Sequence, residues 1–317
     1  MPSRFPDFRV LVPHPLPVGG LVRLKDAFDA VTLWDAPDKG AALRAAASSV
    51  RGIASTGAQV VDGAFLDQFP KLEIVANFGV GYDHIDLAAA RARGMVVTNT
   101  PGVLVEEVAD AALGLLLGAV RQLPQADAFV RRGDWLTRGF PLSASLRGRT
   151  LGVLGLGDIG RAIARRAEAF GLKILYHNRS RRDDVAYGYA DSPLALAQAC
   201  DILVVAAPGG PQTHHIVDAA VLEALGPQGV LVNIARGSLV DTAALIAALQ
   251  QGKILTAALD VFETEPDVPE ALRALPQVFL APHVGSGSVA TREAMAGLVV
   301  DNLTSWASGA GAVTPLT

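Results

Sequence analysis

The chain has 317 residues, of which 50% are hydrophobic and 18% charged, with a formal net charge of −4. That length predicts two domains around a large buried core, and the mild charge with no basic block excludes a nucleic-acid surface. The one cysteine, Cys200, rules out an internal disulfide framework, fits a reducing compartment and, in its apolar stretch, reads as packing rather than as a nucleophile. The start is interrupted by Pro2 and Pro6 and lacks the apolar core of a secretory signal. The longest apolar run, 111–120, is about half of what a bilayer span needs. The expectation is a soluble cytoplasmic protein.

Short apolar runs at 9–12, 52–55, 73–76 and 95–98 read as strands separated by alanine-rich helical stretches. Thr100-Pro101-Gly102 breaks the pattern, and a long helix is predicted from Val105 to about Arg121. A second series starts at Thr150, with six predicted strands near 150–154, 173–177, 201–206, 229–234, 254–259 and 278–281. The tail is helical again from Val289 to Trp306 and would cross back to the first domain. Alternating strands and helices predict an α/β chain with two doubly wound parallel-sheet domains. A smaller, discontinuous domain would comprise 1–98 and 286–317, and a larger one 99–285.

The larger series opens with Gly155-Leu156-Gly157-Asp158-Ile159-Gly160, placed between a strand and a helix. In that context Gly155 permits a tight turn, Gly157 lets the backbone approach a pyrophosphate, and Gly160 allows close helix–strand packing. The next strand ends at Asn178-Arg179-Ser180. An NAD-preferring site places an Asp or Glu there to bind the ribose 2′-hydroxyl. Here no carboxylate repels a 2′-phosphate, and Arg179 can grip one with a planar fork of donors, so NADP(H) is expected.

Four further strand ends carry polar residues: Pro208 after 203–207, Ala235-Arg236 after Ile234, Asp260 after 255–259, and His283 after 279–281. Ligands bind at the carboxyl ends of parallel strands, so an arginine, an aspartate and a histidine are expected to meet in one crevice, with Glu265 in reach on its loop. This set suits hydride transfer to a 2-keto acid. Arg236 would bind the carboxylate and polarise the ketone, His283 would exchange the proton, and Glu265 would stabilise the charged imidazole. His214 and His215 are adjacent, but no cysteine or further histidine sits at metal-ligand spacing, so they read as loop residues and no metal is expected. Thr213 beside them is placed near the cofactor.

The motifs Asn77-Phe78-Gly79-Val80-Gly81-Tyr82-Asp83, Asn99-Thr100-Pro101, Leu146-Arg147-Gly148 through Gly160, Asn233-Ile234-Ala235-Arg236-Gly237, Leu259-Asp260-Val261-Phe262 with Glu265-Pro266, and Pro282-His283-Val284-Gly285-Ser286 occur in order along the chain. In this the sequence resembles the D-isomer-specific 2-hydroxyacid dehydrogenases over essentially its full length, and most of all the NADPH-using glyoxylate/hydroxypyruvate reductases. The resemblance implies a Rossmann cofactor domain and a smaller flavodoxin-like substrate domain. It implies that Arg236 and His283 bind and convert a small 2-keto acid, with Glu265 paired to His283. Backbone amides at Val80 and Gly81 would take the substrate carboxylate, and Asp260 the nicotinamide carboxamide. Gly155, Leu156, Gly157, Asp158, Ile159, Asn178, Arg179, Ser180, Pro208, Thr213, Ile234, Ala235 and Gly285 would complete the NADP site. It also implies a homodimer built on the helix after Val105, with Trp135 near a partner's cleft. A second class, the dinucleotide-sensing co-repressors that share this fold, fits less well because the chain keeps the whole catalytic set and lacks a basic surface. A formate dehydrogenase is disfavoured because formate oxidation needs no proton transfer from a Glu265–His283 pair.

Overall fold

The computed structural model describes residues 3–317. The elements run β1 (Phe5–Val12), α1 (Val18–Ala27), β2 (Phe28–Thr32), α2 (Lys39–Ala47), β3 (Val50–Thr56), α3 (Gly63–Leu66), β4 (Ile74–Phe78), α4 (Leu87–Ala92) and β5 (Val96–Thr98). Then follow α5 (Val105–Val120), α6 (Leu123–Arg131), β6 (Thr150–Leu154), α7 (Asp158–Ala169), β7 (Lys173–His177), β8 (Gly188–Tyr189), α8 (Pro193–Ala199) and β9 (Ile202–Val205). The chain ends with α9 (Ala219–Leu225), β10 (Val230–Asn233), α10 (Thr242–Gln250), β11 (Thr256–Leu259), α11 (Glu270–Arg273), β12 (Phe279–Leu280) and α12 (Val289–Ala307). It divides into two units, Met1–Leu104 with Ser288–Thr317, and Val105–Gly287.

In the first unit five parallel strands pair in the order β2-β1-β3-β4-β5. Strand residues alternate between the two faces, and both faces are apolar because helices cover both. Leu11, Ile53 and Val75 enter a cluster with Phe69 and Val97. Val10, Ala54 and Ile74 enter another, which α12 closes with Val299, Val300 and Leu303. Asp62 and Asp86 cap α3 and α4 by accepting the Phe65 and Ala89 amides.

The second unit holds seven parallel strands in the order β12-β11-β10-β9-β6-β7-β8. The chain starts at β6, proceeds outward through β7 and β8, and then restarts on the other side of β6 at β9. That reversal opens a crevice at the carboxyl ends of β6 and β9, which is where such sheets bind ligands. Leu203, Val205, Leu231, Ala257 and Leu259 form the spine of the core beneath it. Cys200 lies in this core, and burial pushes its thiol up to about 12, which leaves it inert as a nucleophile.

Two strands were not expected. Residues 28–32 follow α1 without an intervening turn and carry Asp29 in a strand, so their periodicity merges with the helix. Asp29 is tolerated at this sheet edge because Arg9 on β1 donates Nε to it at 2.7 Å. Gly188–Tyr189 is only two residues long and leaves no pattern to read. The larger sheet therefore has seven strands where six were predicted, and the smaller has five where four were predicted.

Candidate active site and cofactor site

Between β6 and α7 the chain turns through Gly155, Leu156 and Gly157. Gly155 has φ +101°, and a Cβ there would sit 2.5 Å from the Ala207 nitrogen, so only glycine fits between the two strand ends. Gly157 is different: it is exposed, and a Cβ there would meet nothing within 4 Å. That leaves clear space beside the first amides of α7, to which Asp158 and Ile159 belong. A pyrophosphate fits there against the positive end of the helix.

Asn178 follows β7, and its Oδ1 accepts the Leu156 amide at 2.6 Å. The side chain thus ties the glycine turn to the end of β7 without placing a negative charge beside it. Arg179 and Ser180 are exposed next to it. Arg179 donates Nη1 to Gln212 Oε1 at 3.1 Å, and no carboxylate pairs with it among the described residues. An exposed guanidinium, a neutral amide and a hydroxyl fit a ribose carrying a 2′-phosphate better than one carrying a free 2′-hydroxyl. Opposite, Thr213 donates its hydroxyl to the Pro208 carbonyl at 2.8 Å and so shapes the turn after β9.

At the end of β10 the buried Asn233 side chain folds the chain back on itself. Its Oδ1 accepts the Ala235 amide at 3.0 Å and its Nδ2 donates to the Arg236 carbonyl at 2.9 Å. Ile234 stays buried, and half-buried Arg236 donates Nη1 to the Ala235 carbonyl at 2.7 Å. Gly237 follows, and a Cβ there would lie 1.8 Å from the Phe262 carbonyl carbon. This contact presses the arginine turn onto the 260–265 loop.

That loop carries Glu265, whose two oxygens are divided between two tasks. Oε1 accepts the Phe262 amide at 2.9 Å, and Oε2 pairs with His283 Nδ1 at 2.7 Å. Burial opposes ionisation of Glu265, but the bonds from His283 and Phe262, helped by the nearby Arg236 charge, outweigh it and hold the carboxyl below its ordinary value. His283 has a left-handed backbone, φ +53°, which a non-glycine residue adopts only where its surroundings impose it. Asp260 imposes it. The Asp260 carbonyl accepts the His283 amide at 2.8 Å, and its two carboxylate oxygens accept the Val284 and Gly285 amides, each at 2.7 Å. Asp260 is 2% exposed, and burial pushes its carboxyl up against the two amides that favour the charged form. Gly285 is thereby fixed as part of the histidine loop.

In the first unit, the turn after β4 is braced by two asparagines. Asn77 donates Nδ2 to the Gly79 and Gly81 carbonyls at 3.1 and 3.0 Å, and Asn99 donates Nδ2 to the Val80 carbonyl at 2.9 Å. With those carbonyls held, the Val80 and Gly81 amides have no acceptor among the described residues. Paired amides of this kind form a cradle for an anion such as a carboxylate.

The bracing residues Asn77, Asn99 and Asn233 were not singled out as site residues from sequence. The signal was present as a polar amide at the end of an apolar strand, a position that burial would forbid to an unpartnered group.

Comparison with known proteins places the chain in a family. A family profile described as D-isomer specific 2-hydroxyacid dehydrogenase, NAD binding domain, matches residues 113–285. A glyoxylate/hydroxypyruvate reductase A from Arabidopsis thaliana is 48% identical over 293 residues, 92% of this chain and 94% of that protein. A hydroxyphenylpyruvate reductase from Plectranthus scutellarioides is 45% identical over the same shares of the two chains. Among solved structures, an NADPH-dependent glyoxylate/hydroxypyruvate reductase from Sinorhizobium meliloti, in complex with NADP and malonate, superposes with a TM-score of 0.93 at 53% identity, covering 98% of this chain and 97% of that one.

Two expected outcomes test the site's scaffold. Asp260→Asn sets an NH2 group against a buried backbone N–H, so unfolding in urea should show a loss of about 1–3 kcal/mol; an unchanged midpoint and slope would contradict the clamp. Glu265, whose carboxyl is depressed in the fold, contributes stability above the ordinary glutamate value and loses it as pH falls through the folded one. The melting-temperature gap between wild type and Glu265→Gln should therefore be present near neutral pH and close as acidification passes below the ordinary glutamate range. A gap that stays constant with pH would count against the pairing.

Proposed function

The chain belongs to the D-isomer specific 2-hydroxyacid dehydrogenases, and on that premise we propose that it reduces small 2-keto acids to D-2-hydroxy acids with NADPH, glyoxylate and hydroxypyruvate foremost. The observation that carries this reading is the Glu265–His283 pair at 2.7 Å on the strand ends that also deliver Arg236. The co-repressor alternative is not favoured, because relatives near half identity over almost the whole chain are named as reductases.

The bound nicotinamide cofactor supplies the hydride. Everything else falls to side chains of this chain. Glu265 occupies Nδ1 of His283, so Nε2 is the ring atom that delivers a proton to the ketone oxygen and takes it back in the reverse direction. The carboxylate also orients the ring through that bond. Arg236 polarises the ketone and pairs with the substrate carboxylate, for which a planar guanidinium is suited. In the first unit, the Val80 and Gly81 amides are suited to a carboxylate. Asn178, Arg179 and Ser180 select the 2′-phosphate, Gly155 through Ile159 hold the pyrophosphate, and Pro208, Thr213, Ile234, Ala235, Asp260 and Gly285 line the remainder of the cofactor site.

A homodimer in the cytoplasm completes the proposal. Apolar side chains stand out along 123–142, with Trp135 70%, Leu136 91% and Leu142 98% exposed, a run better suited to a second copy than to water. Among the described residues no helix is long and apolar enough to cross a membrane.

His283→Ala should lower kcat by about 10²-fold or more while nucleotide binding persists; near-normal turnover in a folded variant would remove His283 from its role. Arg179→Ala should raise the KM for NADPH by about tenfold or more, the scale of one lost charge-assisted contact, and leave that for NADH within about twofold. Equal losses for both nucleotides would refute the 2′-phosphate contact.

A further inference from the structure

The turn after β9 and the loop after β11 hold a second cluster of chemistry-bearing side chains, beside the acid–base pair but separate from it. His214 and His215 stack ring on ring, with centroids 3.9 Å apart and planes at 28°. His215 Nε2 lies 2.7 Å from Glu263 Oε1. One ligand atom from each of the three residues falls within 4.8 Å of the others. We propose that His214, His215 and Glu263 form a binding site for a divalent cation of the borderline d-block type, for which Zn2+ is the probe.

Three observations carry this. The donor set is two imidazole nitrogens and one carboxylate oxygen, the composition that zinc and its neighbours take and that magnesium and calcium do not. Bonds of about 2.0–2.2 Å let one ion span ligands about 4 Å apart. The remaining gap closes by a rotation of His214, which is exposed and free to make it. Next, two ligands are held in place before any ion arrives. His215 has a left-handed backbone, φ +50°, and its amide is bonded to the Ser238 carbonyl at 2.8 Å. Glu263 Oε2 accepts the Thr242 amide at 3.4 Å. A strained backbone at a non-glycine residue, sustained by its surroundings, is the kind of feature that marks a ligand site. Finally, no lysine or arginine pairs with Glu263 among the described residues. Its ion-pair partner is His215, which is charged only when protonated. A carboxylate facing two imidazoles with no fixed cation is completed by a metal ion, which also leaves coordination positions open to water.

The site was not visible in the linear chain because its third ligand lies 48 residues beyond His215. A bound ion would join the turn that carries Thr213 to the loop that carries Glu265, and so stiffen two segments of the proposed active site.

Calorimetric titration of the full chain with ZnCl2 in a non-chelating buffer at neutral pH tests the proposal, with His214→Ala and Glu263→Gln measured alongside and circular dichroism confirming their fold. The expected result is one equivalent of Zn2+ per chain at micromolar affinity, weakened about tenfold or more in each variant, with no competition from millimolar Mg2+. Absence of saturable binding, or the same affinity in wild type and both variants, would overturn it. Should one variant fail to fold, the other decides.

Discussion

The reacting end of this molecule depends on one buried carboxylate. Asp260 is buried directly after β11, where an unpartnered charge would be costly, and both of its oxygens are satisfied by the backbone of residues 284 and 285. The Gly285 amide lies buried and would itself be orphaned there, so the two requirements answer each other. The result is a loop that leaves β12 with His283 in a left-handed conformation that the side chain alone would not choose. Glu265, five residues after Asp260 on the same loop, is anchored by the Phe262 amide and meets the imidazole from the other side. One short segment thus fixes both the backbone and the ring of His283, the proposed proton donor.

The same economy recurs wherever a strand end must present backbone or side chain to a ligand. Asn77 near the end of β4, Asn178 after β7 and Asn233 at the end of β10 each commit a side-chain amide to backbone groups of the turn that follows or faces them. A side-chain amide can satisfy both a donor and an acceptor, which a carboxylate cannot. At Asn178 this has a second effect: the turn is tied down by a neutral group, which adds no negative charge beside Arg179.

The sequence made the chemistry legible because the decisive residues sit in short-range patterns. A glycine hexad between a strand and a helix, and single polar residues closing apolar runs at Arg236, Asp260 and His283, are readable in windows of ten residues. What it hid depends on contacts between distant segments. Strand 28–32 is indistinct because Asp29 breaks the apolar run and is neutralised by Arg9 on the neighbouring strand. The pattern marks Asp260 as a polar strand end, but the engagement of its oxygens by the histidine loop 24 and 25 residues away shows only in the fold. The bracing by Asn77 and Asn99, and the meeting of Glu263 with His214 and His215, likewise need the folded chain.

The central claim is that this scaffold delivers a hydride from NADPH and a proton from His283 to a small keto acid. The most direct measurement is the initial rate of NADPH and of NADH oxidation by the purified full chain, each with glyoxylate and with hydroxypyruvate. The account predicts rapid turnover of both acids with NADPH and a kcat/KM at least about tenfold lower with NADH, the scale of one charge-assisted contact. Preference for NADH, or no turnover of either acid with NADPH, would contradict it.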